Sequence, residues 1–178
     1  MMSFYLKRYG IIFLVLFLGI HFWVKFQNPP HQNSTPIQKV GESVLDFQGK
    51  TIDGQVFDLK SVATKNKILV INFWETWCGP CRQELPDLER IYSKFRQDGF
   101  EIIGVFQNSP SMDVQKMVQK NSLTYPMVFD QTKSITRQFK IVGVPTTFVV
   151  DSNLKILRRH EGIDFGLEQF IEKELKGL

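Results

Sequence analysis

The sequence contains few cysteines: there are two among 178 residues, Cys78 and Cys81, and they lie three positions apart. A structural zinc site needs four protein ligands, so the cysteines alone cannot build one. Histidines add little, because His21 and His31 precede the predicted domain and only His160, which we expect at a strand end on the surface, lies within it. The sequence also lacks a Gly-x-Gly-x-x-Gly pattern after a strand, as nicotinamide and flavin sites have. We therefore expect no metal and no dissociable cofactor.

Acidic residues are missing from the start of the chain. None precedes Glu42, whereas four of the 22 basic residues do: Lys7, Arg8, Lys25 and Lys39. The other 18 basic residues are matched by 18 acidic ones, so the formal net charge of +4 belongs to the N-terminal segment. A neutral domain offers no electrostatic attraction to phosphate backbones, and we exclude nucleic acid as a partner.

The N-terminal segment is predicted to anchor the chain in a membrane. The run from Tyr9 to Val24 is uncharged; it is slightly shorter than the ~20 residues of a straight membrane helix, but flanking basic side chains can reach the interface. Arg8 and Lys7 ahead of it favour an N-terminus inside the cell. A cleaved signal peptide is the alternative, and the lack of a small-x-small pair after the run counts against it.

This interpretation divides the chain into four parts. We assign residues 1–8 to a cytoplasmic N-terminus, 9–26 to a single transmembrane signal-anchor helix, 27–40 to a flexible tether with three prolines, and 41–178 to a folded domain. The domain is then expected on the periplasmic or extracytoplasmic side of a bacterial inner membrane.

Strand and helix patterns alternate along residues 41–178. The continuous apolar run 67–73 is typical of a strand buried on both faces, and residues 81–99 carry apolar side chains at helical spacing. Such alternation predicts an α/β fold, with a central mixed sheet flanked by helices and an N-terminal β-hairpin within 47–60. Further strands are predicted at 100–106, 127–129, 146–150 and 154–160, and further helices at 112–120, 132–139 and from an N-cap at Asp164 to Leu175.

The two cysteines form the motif Cys78-Gly79-Pro80-Cys81 between a buried strand and a helix. A cysteine at a helix N-terminus meets unpaired N–H groups and the positive end of the helix dipole, which stabilise a thiolate. Cys78 is the expected nucleophile, and Cys81, one turn further and less exposed, is expected to resolve a mixed disulfide. Two other interpretations are a structural disulfide, which would close a very small loop, and a metal site completed by His160.

The surrounding residues resemble a known family. The stretch Asn72–Cys81 (NFWETWCGPC) is similar to the active site of the thioredoxin superfamily. The continuation Arg82–Pro86 (RQELP) and the later Val142–Phe148 (VGVPTTF) are similar to its extracytoplasmic TlpA/ResA-type branch, as are Gly49-Lys50 and Phe57–Leu59. The resemblance implies a thioredoxin-like fold with a central insert between Cys81 and Pro145, and covers residues 41 to the C-terminus.

The resemblance also implies roles for individual residues. Pro145 matches a cis-proline that faces the disulfide, and Val144 beside it would offer backbone groups to an extended substrate; an ordinary trans-proline is the alternative. Trp77 would be an aromatic platform beside the nucleophile, unless it simply packs beneath the loop. Glu84 would exchange protons with Cys81, unless it is a solvated helix residue. Asn72 replaces the buried aspartate of classical thioredoxins and cannot titrate.

The function implied is membrane-tethered thiol–disulfide exchange outside the cytoplasm, catalysed by the redox-active pair Cys78 and Cys81. Reduction of exported proteins, among them apocytochrome c, is the first hypothesis, with a membrane thiol carrier as electron donor. An oxidase that forms disulfides is the second, and a non-catalytic binding or metal-delivery module on the same fold is the third. A peroxidase is disfavoured because the Pro-x-x-x-Thr-x-x-Cys pattern of peroxiredoxins is missing.

Overall fold

The computed structural model describes residues 38–177. The predicted segments 1–8 and 9–26 lie outside these residues, as does most of the tether 27–40. The strands are β1 (Gln48–Thr51), β2 (Val56–Asp58), β3 (Ile68–Phe73), β4 (Phe100–Phe106), β5 (Met127–Phe129), β6 (Thr146–Asp151) and β7 (Ile156–Glu161). The helices are α1 (Leu59–Ala63), α2 (Gly79–Phe95), α3 (Ser111–Lys120), α4 (Ser134–Gln138) and α5 (Leu167–Gly177), with a 3-10 turn at Arg96–Asp98. None of the helices in this part of the chain has the length and apolar character needed to cross a membrane.

The strands form one seven-stranded sheet in the order β2-β1-β5-β4-β3-β6-β7. Strands β3, β4 and β5 are parallel neighbours, so their carboxyl ends meet at one edge. Strand β6 runs antiparallel to β3 and places Thr147 opposite Asn72. Strands β7, β1 and β2 add further antiparallel pairs, β1 and β2 as a hairpin. The predicted mixed sheet and N-terminal β-hairpin are confirmed.

Both faces of the sheet are covered, as strand β3 shows. All six of its residues are buried. Because side chains alternate along a strand, Ile68 and Val70 join one hydrophobic cluster and Leu69, Ile71 and Phe73 join another. Apolar residues of α2, α3 and α5 contribute to the first cluster, and those of α1 and α4 to the second. This two-sided burial explains why the strand sequence is continuously apolar.

Helix α2 begins two residues before the predicted start. Cys78 is its N-cap in an extended conformation (φ −77°, ψ 114°), and Gly79 and Pro80 open the first turn. A proline there leaves no helical hydrogen bond unmade, because its N–H would have had no partner. The α-helix ends at Phe95, and the 3-10 turn continues to the left-handed Gly99 (φ 86°), the residue predicted to end the helix.

Helix α5 begins at Leu167, three residues after the predicted N-cap Asp164. Asp164 still makes cap-type hydrogen bonds, because its carboxylate accepts from the N–H of Gly166 at 3.0 Å and its carbonyl oxygen accepts from the N–H of Leu167 at 3.2 Å. The same carboxylate accepts two hydrogen bonds from the Arg158 guanidinium, at 2.7 and 2.6 Å. An ion pair to strand β7 therefore holds Asp164 in the loop before the helix.

Gly104 in strand β4 allows a close approach beside the site. A Cβ atom there would lie 2.4 Å from Sδ of Met127 and 2.9 Å from Nε1 of Trp74. Only glycine leaves room for the fully buried indole of Trp74, the residue that leads from strand β3 toward the cysteines.

Candidate active site

The cysteines form a disulfide at the N-terminus of helix α2, with their Cα atoms 5.3 Å apart. The N–H of Cys81 points at Sγ of Cys78 across 3.1 Å, so an unpaired donor of the first helical turn is directed at the first cysteine. Cys78 is 5% exposed and Cys81 is fully buried. The expected order of exposure is confirmed, although Cys78 itself has little contact with solvent.

The loop before strand β6 faces the disulfide. The peptide bond between Val144 and Pro145 is cis, as the resemblance implies, and the trans alternative is wrong. The carbonyl oxygen of Val144 lies 3.6 Å from Sγ of Cys78. This loop is held by hydrogen bonds from the N–H of Gly162 to the Pro145 carbonyl (2.8 Å) and from the Thr146 hydroxyl to the Gly143 carbonyl (2.7 Å).

Trp77 immediately precedes the first cysteine, and 63% of it is exposed. The alternative that it packs beneath the loop is therefore wrong. The loop itself is held, because the Arg82 guanidinium donates to the carbonyl of Thr76 at 2.9 Å. Trp77 thus stands as an apolar surface beside the disulfide.

Glu84 lies on helix α2, three residues after Cys81, and is 4% exposed. The alternative of a solvated helix residue is therefore wrong. Its Oε1 accepts a hydrogen bond from Nδ2 of Asn72 at 2.9 Å, and the same amide donates to the hydroxyl of Thr147 at 3.0 Å. The antiparallel register of β3 and β6 makes this group possible, because it places Thr147 directly across from Asn72.

Burial raises the pKa of Glu84 to about 7. The hydrogen bond from Asn72 favours the ionised form and opposes this shift, and the negative charge of Asp164 adds to it. The carboxyl group can therefore bind and release a proton near neutral pH, one helical turn from the second cysteine.

Three polar residues of the site were not predicted from the sequence: Thr147, Glu75 and Ser109. All three are buried. Glu75 precedes the motif by three residues, and its carboxylate accepts hydrogen bonds from the loop after strand β4, where Ser109 lies. An acidic residue in an otherwise apolar stretch next to the cysteines is the signal that could have revealed Glu75.

A metal site has no support in residues 38–177, where no three His, Cys, Asp or Glu side chains are grouped closely enough to hold an ion. His160 is a half-buried member of strand β7, and its Nε2 lies 3.1 Å from the carbonyl oxygen of Ile163. It is therefore not a ligand beside the cysteines.

The sequence of this chain is similar to those of known protein families. Residues 40–159 match the sequence model of the AhpC/TSA family. The chain belongs to the AhpC/TSA family. Its relatives include thiol-disulfide oxidoreductase ResA of Halalkalibacterium halodurans, 30% identical over 138 residues that cover 76% of this chain and 77% of the relative. ResA of Geobacillus thermodenitrificans is 32% identical over 117 residues, which cover 66% of each chain.

A solved structure agrees with this placement. The thioredoxin domain of a thiol-disulfide oxidoreductase from Bacteroides vulgatus is 27% identical and superimposes with a TM-score of 0.69, covering 78% of this chain and 99% of that domain. The protein is thus a ResA-like thiol-disulfide oxidoreductase with a thioredoxin-like α/β fold, and the family expected from the sequence is confirmed.

Proposed function

We propose that this thiol-disulfide oxidoreductase is tethered to the bacterial inner membrane and reduces disulfides of exported proteins on the periplasmic or extracytoplasmic side. The observation that carries the proposal is the pair Cys78 and Cys81 at a helix N-terminus, with the buried carboxyl group of Glu84 one turn further. The pair would be the only redox group that the reaction needs, without a dissociable cofactor or metal.

Reduction begins when the Cys78 thiolate attacks one sulfur of a substrate disulfide. A bond forms between Cys78 and that sulfur, the substrate S–S bond breaks, and the second substrate sulfur leaves as a thiolate, which takes a proton from solvent. Cys81 then attacks Sγ of Cys78, the bond between Cys78 and the substrate breaks, and the substrate sulfur leaves as a thiolate that takes a proton from solvent. Two electrons have passed to the substrate, and the Cys78–Cys81 disulfide has formed.

Glu84 supports the second attack by accepting the proton of the Cys81 thiol as that sulfur becomes nucleophilic. A dithiol carrier in the membrane then returns two electrons to the disulfide, and the protonated Glu84 returns the proton to Cys81. A pKa of about 7 suits both directions, because a group that titrates near ambient pH can accept and donate with similar ease.

Substrate contacts are assigned to the surface around Cys78. Trp77 would provide an exposed apolar face, and the loop of Val144 and Pro145 would provide backbone groups to an extended segment, since the Val144 carbonyl lies next to the nucleophilic sulfur. A segment of an exported protein with a disulfide, such as an apocytochrome c, fits this surface because recognition would depend on backbone and apolar contacts.

The membrane location rests on the uncharged run from Tyr9 to Val24 and on the basic residues Lys7 and Arg8 ahead of it. An anchored domain would act on proteins that pass along the membrane surface. A thiol carrier in the same membrane is the corresponding electron donor.

Thiol labelling of intact cells tests location and direction together, because the only cysteines of the chain are the two of the site. We expect a membrane-impermeant maleimide to modify the protein in intact spheroplasts without added reductant, and the labelled chain to sediment with membranes. Labelling only after lysis, or recovery of the chain as a soluble protein, would refute the proposed location. Labelling that requires prior reduction would indicate an oxidase instead.

A further inference from the structure

The carboxylate of Glu75 is buried, 1% exposed, although the roles assigned to the site do not use it. Its Oε1 accepts hydrogen bonds from the N–H groups of Gln107 at 3.0 Å and Asn108 at 2.9 Å. Its Oε2 accepts one from the hydroxyl of Ser109 at 2.5 Å. The partners in these bonds are neutral donors of a single loop, residues 107–109, between strand β4 and helix α3.

The same loop is bound a second time to the segment before the cysteines. The Ser109 oxygen accepts hydrogen bonds from the N–H of Thr76 at 2.8 Å and from its hydroxyl at 3.1 Å. The backbone carbonyl of Glu75 accepts a hydrogen bond from the N–H of Cys78 at 3.1 Å. Glu75 therefore connects the loop 107–109, through its side chain, to the turn that carries Trp77 and Cys78.

This connection has a geometric consequence beside the disulfide. Trp77 and Thr76 form one wall of a groove of about 330 Å³, and helix α3 forms the other with Asp113, Lys116 and Met117 among its lining residues. The loop 107–109 leads directly into helix α3. Because Glu75 holds that loop against the Trp77 turn, its hydrogen bonds fix the distance between the two walls.

We propose that Glu75 is a positioning residue that holds Trp77 and the start of helix α3 in the arrangement needed to accept protein disulfides. The inference rests on the proposed reduction of protein substrates. Small disulfides reach Cys78 without contact to the groove, so loss of Glu75 slows exchange with proteins more than exchange with small molecules. If the Glu75 carboxylate had a purely structural role, its loss would change only the stability of the protein.

Asp130 provides a matched control. It is 2% exposed, and its carboxylate also accepts hydrogen bonds from two backbone N–H groups, of Ile135 at 3.3 Å and Thr136 at 2.7 Å, and from one hydroxyl, that of Thr136 at 2.7 Å. These bonds hold the start of helix α4 rather than the turn of Trp77. Asp130→Asn thus removes the same kind of buried charge without touching the groove.

The test compares the second-order rate constants of the reduced full-length protein, in detergent, with insulin and with 5,5′-dithiobis(2-nitrobenzoate). We expect Glu75→Gln to lower the insulin constant at least tenfold and the ratio of the insulin constant to the small-disulfide constant at least fivefold. Ser109→Ala, which removes one of the three bonds to the Glu75 carboxylate and both bonds from Thr76, should lower the ratio at least twofold. Asp130→Asn should leave the ratio within twofold of the unmodified protein.

A ratio unchanged in both Glu75→Gln and Ser109→Ala, with circular dichroism showing folded protein, would overturn the proposal. An equal loss of the ratio in Asp130→Asn would do the same, because the effect would then be one of stability. If the unmodified protein fails to reduce insulin, the proposed function itself is wrong, and this result is distinct from an unchanged ratio in an active protein.

Discussion

Replacement of Cys78 by serine is expected to reduce insulin reduction to the rate of the dithiol reductant alone. Cys78 is the more exposed of the two cysteines, and its sulfur accepts a hydrogen bond from the N–H of Cys81 at the helix N-terminus. Serine keeps the size of the side chain, but its hydroxyl cannot act as the thiolate nucleophile of the first attack. The measurement is the turbidity that follows insulin reduction, with the full-length protein and excess dithiothreitol.

Cys81→Ser is the matched variant, and its expected result is different. Cys78 can still attack a substrate disulfide, but the buried second thiol that would release the mixed disulfide is gone. We expect this variant to accumulate a covalent complex with a disulfide substrate, visible as a band of higher mass on a non-reducing gel. Accumulation of the complex in Cys78→Ser rather than in Cys81→Ser would show that the roles are reversed.

Replacement of Glu84 by glutamine is expected to stabilise the oxidised protein at pH 8 and to slow its chemistry. Burial raises the pKa of this carboxyl group from 4.5 to about 7, so the folded protein binds the proton more tightly than the unfolded chain does. Above pH 7 the buried Glu84 carboxylate is charged, and this lowers the free energy of unfolding. The loss of stability disappears as the pH falls from 7 to 4.5, because the carboxyl group of the folded protein becomes protonated.

The size of this effect follows from the shift. One pKa unit corresponds to about 1.4 kcal/mol, so the ionised group lowers the free energy of unfolding by up to roughly 3 kcal/mol at pH 8. Glutamine removes the charge while keeping an oxygen that can accept the Asn72 hydrogen bond. We expect Glu84→Gln to be more stable than the unmodified protein by about 2–3 kcal/mol at pH 8, with the difference shrinking toward zero near pH 4.5.

Chemical denaturation at pH 5 and pH 8 measures this difference. Asp87→Asn is the control, because Asp87 is an exposed carboxylate on the same helix and its loss should change the free energy of unfolding by less than about 0.5 kcal/mol at either pH. The exchange rate of Glu84→Gln should fall roughly tenfold or more and lose the inflection near pH 7. A stability difference that is the same at both pH values would contradict the raised pKa.

Much of the fold can be predicted from the sequence because the signals for its strands and helices lie in residues close together along the chain. Strand β3 is recognised from its continuous apolar run, and helix α2 from the helical spacing of apolar residues after Cys81. Gly99 ends the 3-10 turn after helix α2, because the left-handed conformation there favours glycine. The placement of Pro145 and Glu84 beside the cysteines was predicted from the family resemblance instead. The spacing of residues along the chain does not show that the Val144 carbonyl, next to Pro145, lies 3.6 Å from Sγ of Cys78.

The rest of the site depends on contacts between distant segments. Thr147 meets Asn72 only through the register of two antiparallel strands, and Ser109 meets Glu75 only because two parallel strands end at the same edge. The local cap signal at Asp164 likewise does not reveal its ion pair with Arg158 of strand β7.

The reduction potential of the Cys78–Cys81 pair tests the central claim most directly. The full-length protein would be equilibrated with defined thiol and disulfide buffers and the fraction of free thiol measured by alkylation. A reductase of exported proteins predicts a potential near or below that of thioredoxin, about −270 mV. A potential close to about −120 mV, as in a strong oxidant of exported thiols, would contradict the account and reverse the direction of electron flow.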